Sequence, residues 1–217
     1  MTIKINGTEI HLLPQKAVYI PEQKILVIAD MHLGKLAHFR RKGIFAPIRR
    51  INEDLENLEL LLDEYKPIEV VFLGDLFHSE VNSEYDDLFT KVIQFPHIHF
   101  ILTKGNHDII PYETFQDAQI SVIQEKDLGN GIVLRHQLPQ SPRENVFYLV
   151  GHIHPGCTIQ GKGRQIYRFP CFHYSDHVLT LPAFGKHTGL FIPDFLPNDS
   201  IYAVMNEEVI RVVISSF

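Results

Sequence analysis

The stretch from Ile98 to Asp108 constrains this chain most. It begins as an apolar run of strand length, Ile98-His99-Phe100-Ile101-Leu102-Thr103, and closes on Gly105-Asn106-His107-Asp108. An apolar run ended by glycine reads as a buried strand entering a tight turn. In open α/β sheets ligands collect outside the carboxyl ends of the strands. An amide, an imidazole and a carboxylate in consecutive positions at such an end are candidate site residues.

The same design recurs upstream. Ile25-Leu26-Val27-Ile28-Ala29 is continuously apolar, as expected of a strand covered on both faces, and stops at Asp30-Met31-His32. Glu69-Val70-Val71-Phe72-Leu73 stops at Gly74-Asp75-Leu76-Phe77-His78. Helices are expected within Leu36 to Lys42, over Asn52 to Tyr65 and over Ser83 to Phe95. Leu55, Leu58, Leu61 and Leu62 fall at helical spacing in the second. Strand and helix in alternation point to α/β architecture. Before them, Asn6-Gly7 between Thr2-Ile5 and Thr8-Leu12 predicts a hairpin.

The second half changes character. Strands are expected at Ile120-Ile123, Gly131-Arg135, Phe147-Val150, Arg164-Phe169, His177-Leu181, Ile201-Met205 and Val209-Ile214, mostly as a meander. One strand ends at His136 and another at Gly151-His152-Ile153-His154. No repeat or linker divides the chain, so residues 1–217 are read as one domain.

A net charge of -6 argues against wholesale binding to nucleic acid or anionic membrane, but a local basic patch is still open. One is present: residues 31–52 hold Lys35, Arg40, Arg41, Lys42, Arg49 and Arg50 and no Asp or Glu. It reads either as a solvated helix face or as a track for phosphates beside the site. The only cysteines, Cys157 and Cys171, and an N-terminus without an apolar core suggest a reduced, cytoplasmic protein. No apolar run approaches the length of a membrane span.

A lone histidine is more often solvent-exposed or satisfied than a ligand. Here Asp30/His32, Asp75, Asn106/His107/Asp108, His136 and His152/His154 all coincide with the ends of apolar runs. Oxygen donors mixed with imidazoles suit Mn, Fe or Zn. Seven candidate ligands exceed the needs of one ion. Two ions sharing a bridging carboxylate would use them all, clamp the oxygens of an in-line displacement and make hydroxide available at neutral pH.

In their order, Asp30-x-His32, Gly74-Asp75, Gly105-Asn106-His107-Asp108, His136 and Gly151-His152-x-His154 resemble the signature of calcineurin-like metallophosphoesterases. Gly74-Asp75-Leu76-Phe77-His78 is similar to the SbcD-type nuclease branch. Asp30-Met31-His32-Leu33-Gly34-Lys35, Phe39-Arg40-Arg41-Lys42-Gly43-Ile44, Gly151-His152-Ile153-His154-Pro155 and Leu181-Pro182-Ala183-Phe184-Gly185 bring the chain closer to the bacterial ligase-associated DNA-damage-response endonucleases. The resemblance implies two packed mixed β-sheets flanked by helices, a four-layer αββα fold. It implies a first metal on Asp30, His32 and His154, a second on Asn106, His136 and His152, and Asp75 bridging both. The two divalent ions would be Mn, with Fe or Zn as alternatives. His107 would lie on the leaving-group side with Asp108 orienting its ring, and His78 would either support the site from behind the ligands or touch substrate. On the phosphate-track reading of the basic segment, Arg40 and Arg41 meet substrate. The implied activity is a phosphodiesterase cutting DNA in repair. A small-molecule phosphomonoesterase or cyclic-nucleotide diesterase, and a metal-bearing binding subunit of a repair ligase, are the alternatives.

Overall fold

The computed structural model describes residues 1–45, 52–78, 83–109 and 111–213. The chain opens on a hairpin of β1 (Thr2–Ile5) and β2 (Thr8–Leu12). Asn6 and Gly7 take φ of 49° and 85°, the two left-handed positions that a two-residue turn requires. β3 (Ala17–Ile20) and β4 (Ile25–Ala29) extend the antiparallel sheet.

The α/β part follows: α1 (Lys35–Arg41), α2 (Glu53–Tyr65), β5 (Glu69–Leu73), α3 (Ser83–Ile93), β6 (His99–Thr103), α4 (Tyr112–Asp117) and β7 (Ile120–Ile123). Asn52 caps α2, its side chain accepting the Asp54 N–H at 3.2 Å. α3 stops before the expected Phe95, a residue that precedes Pro96 and is biased away from helix. α4 escapes a sequence reading because six residues show too little periodicity.

The first sheet has the order β1-β2-β3-β4-β5-β6-β7, with β4 to β7 parallel. Its apolar runs are continuous because both faces are covered. Leu26, Ile28, Val70, Phe72, Phe100 and Leu102 pack with α2, α3 and α4. The alternate residues Val27, Ala29, Val71 and Leu73 pack against the second sheet. In α2 the inward face is Leu55, Leu58, Leu61 and Leu62, all buried. At about 1.5–3 kcal/mol per side chain these four contribute roughly 6–12 kcal/mol to docking the helix, an upper bound.

The second half supplies β8 (Lys126–Gly129), β9 (Ile132–Leu134), β10 (Phe147–Val150), β11 (Gly156–Gln160), β12 (Ile166–Ser175), β13 (Val178–Thr180), β14 (Ser200–Met205) and β15 (Glu208–Val212). The sheet order is β15-β14-β12-β13-β10-β9-β8, and β11 pairs with β12. The expected meander is corrected here: β10 pairs in parallel with both β9 and β13. Parallel pairing brings the ends of β9 and β10 to one side. Ile214, expected in the last strand, lies outside the described residues.

The expected pair of packed mixed sheets with helices is the fold. The helices α2, α3 and α4 gather on the first sheet's side, and no α-helix follows Asp117 among the described residues. The second sheet's outer residues Val133, Tyr148 and Val150 pack instead with Val146 and Val178. Among the described residues no helix is long and apolar enough to cross a membrane.

Candidate metal centre

The polar clusters follow the carboxyl ends of β4, β5, β6, β9 and β10. These strands run parallel within their sheets, so the clusters meet at one end of the sandwich. Backbone hydrogen bonds tie the loops together. The His32 N–H donates to Asp75 O at 2.9 Å and the His78 N–H to Leu33 O at 2.9 Å. Across the sheets, the His152 N–H donates to Asp30 Oδ2 at 2.8 Å.

The turns are strained. Asp30, His32, Asp75, His152 and His154 have φ between 46° and 73°, where non-glycine residues cost about 1 kcal/mol or more each. Glycines next to them clear space for the contacts. A Cβ on Gly151 would lie 2.4 Å from Asp30 Oδ2, and one on Gly105 2.4 Å from the Asp75 backbone nitrogen. A candidate ligand residue lies against each of these glycines, a contact that the sequence does not display.

Two clusters result. Asp30, His32 and His154 form the first, with His32 Nε2 3.2 Å from His154 Nε2 and Asp30 Oδ1 3.6 Å from His154 Nε2. Asp75, His136 and His152 form the second, with His136 Nε2 3.0 Å from His152 Nδ1. Asn106 joins it, its Oδ1 2.9 Å from His136 Nε2. Asp75 faces both: Oδ1 lies 3.6 Å from His136 Nε2 and Oδ2 lies 3.8 Å from His32 Nε2.

The donors fit cations. His136 Nδ1 lies 2.9 Å from Leu73 O, an acceptor, so the neutral ring carries its proton there and turns the Nε2 lone pair inward. Nε2 then meets Asn106 Oδ1, a second acceptor, with no proton between them. Asp30 Oδ1 is buried without a hydrogen-bond partner. A positive ion satisfies such sets. Burial first, and then the repulsion that a charged ring would meet from His154, Lys35, His78 and His107, push the His32 pKa down to about 2. Burial, and then His136, lower that of His152. These two imidazoles, His32 and His152, are thereby biased to the neutral form, the one that binds metal.

Asp108 has a different task from the one expected of it. Its Oδ2 accepts the N–H groups of Gly105 at 2.8 Å and Asp75 at 2.9 Å, and its Oδ1 accepts that of Leu76 at 2.9 Å. Among the described residues no hydrogen bond joins it to the His107 ring. The carboxylate clamps the loop that carries Asp75. Burial raises its pKa, while the three amides oppose the rise.

His107 is exposed and lies outside both clusters. Its N–H donates to Asp75 Oδ1 at 2.9 Å, and its ring stacks on His78 with centroids 5.8 Å apart. His78 also meets the rings of His32 at 5.5 Å, Phe39 at 6.2 Å and His38 at 5.1 Å. Burial, with Lys35, His38 and His107 nearby, pushes its pKa down to about 4. α1 therefore borders the centre, with Arg40 and Arg41 in its last turn. Arg49 and Arg50 lie outside the described residues. His38 was not singled out from sequence, where nothing sets it apart from a surface histidine.

Residues 23–211 match the family described as calcineurin-like phosphoesterase. No curated protein matches the chain. Among solved structures, nuclease MPE of Pseudomonas putida is similar at 27% identity and a TM-score of 0.79, covering 98% of this chain and 99% of that one. YfcE, a phosphoesterase from E. coli, has 15% identity and a TM-score of 0.43, covering 88% and 99%.

Proposed function

Because the chain belongs to the calcineurin-like phosphoesterase family, whose members are metal-dependent phosphoester hydrolases, we propose that it is a two-metal phosphodiesterase that cuts DNA. The carrying observation is Asp75, whose two oxygens face two separate clusters of ligand atoms. We take residues 1–217 as one domain, serving DNA repair in the cytoplasm.

Asp30, His32 and His154 would hold one ion, Asn106, His136 and His152 the other, and Asp75 would bridge them. Manganese is the ion we expect, and the same donors accept iron or zinc. When bound, two such ions supply Lewis-acid charge and activate water at neutral pH. They would bring about +4 against about -2 from Asp30 and Asp75, leaving a positive centre that attracts phosphate in an acidic chain. His107 faces solvent beside Asp75 and is free to donate a proton to the leaving alkoxide, a strong base that needs one. The role in orienting that ring passes from Asp108 to the stack with His78.

Two facts support nucleic acid as the substrate. α1, beside His78, carries Arg40 and Arg41 in a segment without acidic residues. The relative similar over nearly the whole chain is a nuclease. The test is a panel of single- and double-stranded DNA, RNA, cyclic nucleotides and simple monoesters with added Mn²⁺, for the wild type and for Asp75→Asn. DNA should be cut, and the variant should lose turnover and metal. Activity confined to monoesters or cyclic nucleotides would refute the nuclease reading. Full activity in Asp75→Asn would refute the bridged centre.

A further inference from the structure

Lys35 opens α1 three residues after the ligand His32, and its N–H donates to His32 O at 3.2 Å. A parallel bridge between Leu33 and Phe77, with the His78 N–H donating to Leu33 O, locks its loop to the loop that carries His78. Lys35 is thus fixed beside the centre. Its charge reaches both the His32 and the His78 rings, helping to keep each neutral.

Its surroundings set it apart from other lysines. Four lysines are half-buried: Lys16, Lys35, Lys91 and Lys126. Lys16 donates to Phe184 O, Lys91 pairs with Glu59 at 2.6 Å and Lys126 with Glu69 at 3.1 Å. Lys35 has no such partner among the described residues, and positions 31–45 hold no Asp or Glu. A partly desolvated ammonium without a counter-charge is costly. Two bound cations nearby would raise that cost, and an anion in the site would relieve it.

We propose that Lys35 is a substrate-binding residue that takes a non-bridging phosphate oxygen, either of the scissile phosphoryl group or of the neighbouring phosphodiester. The proposal rests on the phosphodiesterase reading above. In that role Lys35 would hold the phosphate from the α1 side, opposite the candidate ligands that follow the strand ends.

The test compares wild type, Lys35→Met and Lys35→Arg in the Mn²⁺-loaded enzyme. The readouts are KM and kcat on an oligonucleotide and on bis(p-nitrophenyl) phosphate, the inhibition constant of inorganic phosphate, and bound metal by elemental analysis. Methionine keeps the stem and removes the charge. Lys35→Met should keep both metals and weaken phosphate binding roughly tenfold or more, the loss of a charge-assisted hydrogen bond. Lys35→Arg should recover most of that. A raised KM on both substrates places the scissile group at Lys35. A raised KM on the oligonucleotide alone places the neighbouring phosphate there. Unchanged KM values and an unchanged inhibition constant overturn the proposal, as does loss of metal in Lys35→Met. A wild type that cleaves the aryl diester but not DNA would sink the nuclease reading, while the aryl diester and phosphate inhibition still decide the role of Lys35.

Discussion

One buried carboxylate accounts for much of the order around Asp75. Asp108 accepts three backbone N–H groups at 2.8–2.9 Å, from Gly105, Asp75 and Leu76, and is itself 1% exposed. Those amides sit in a turn where Asp75 has φ 46° and Gly105 leaves no room for a Cβ. Water cannot easily replace the acceptor. Leaving a buried donor unpaired costs about 1–3 kcal/mol, so Asp108→Ala should lose about 3 kcal/mol or more. Asp108→Asn should fall between, because one amide oxygen cannot serve all three donors. Denaturant midpoints in chelator measure the stability, and Mn²⁺ calorimetry measures the second effect, weaker binding at the centre. An Asp108→Ala protein with wild-type stability and metal affinity would return Asp108 to the His107 ring.

At the scale of elements, the readable parts are those where local pattern and tertiary role agree. β4, β5 and β6 announce themselves as apolar runs because helices cover one face and the second sheet the other. The candidate ligands stand out in the sequence because each follows the end of an apolar run, and the structure brings them together. The rest is set by long-range partners. β8 is Lys-Asp-Leu-Gly, a polar edge strand with little propensity of its own. Pro170 reads as a stop, yet β12 passes through it, pairing with β11 up to Pro170 and with β14 from Cys171 onward. The proline sits where the strand changes partners and needs no ladder N–H. The support given by residues 184 and 185 is likewise invisible in the sequence: Phe184 N–H donates to Ala29 O at 2.8 Å, and Lys16 donates to Phe184 O. Burial pushes the Lys16 pKa down to about 8, against the opposing charge of Asp54. A lowered folded-state pKa means that the unfolded chain binds the extra proton between about 8 and the ordinary lysine value. Stability from this group therefore rises with pH across that window. The melting temperature of wild type minus that of Lys16→Met, in chelator, should climb from pH 7.5 to pH 10.5. A flat or falling difference would mean that Lys16 is solvated.

Over the whole molecule, the candidate centre joins the two sheets. Asp30, His32, Asp75 and Asn106 follow strands of the first sheet; His136, His152 and His154 follow strands of the second. Opposed lone pairs and an Asp30 oxygen without a hydrogen-bond partner sit where these loops meet. Bound ions would turn that repulsion into a cross-link between sheets, and binding to the folded state alone adds stability by mass action. At one hundred times Kd each ion contributes about 2.7 kcal/mol, so two give about 5 kcal/mol. For a chain of this size about 2–4 °C accompanies each kcal/mol, so saturating Mn²⁺ should raise the melting temperature by roughly 10–20 °C over the chelated protein. Asp75→Asn should remove most of that rise if both ions lean on the one carboxylate, whose two oxygens face His32 and His136. Amide exchange should slow on metal binding at His32 and Gly151 together, one amide from each sheet's ligand loops. A melting temperature indifferent to metal, or protection confined to one sheet, would mean that the ions do not bridge the sandwich.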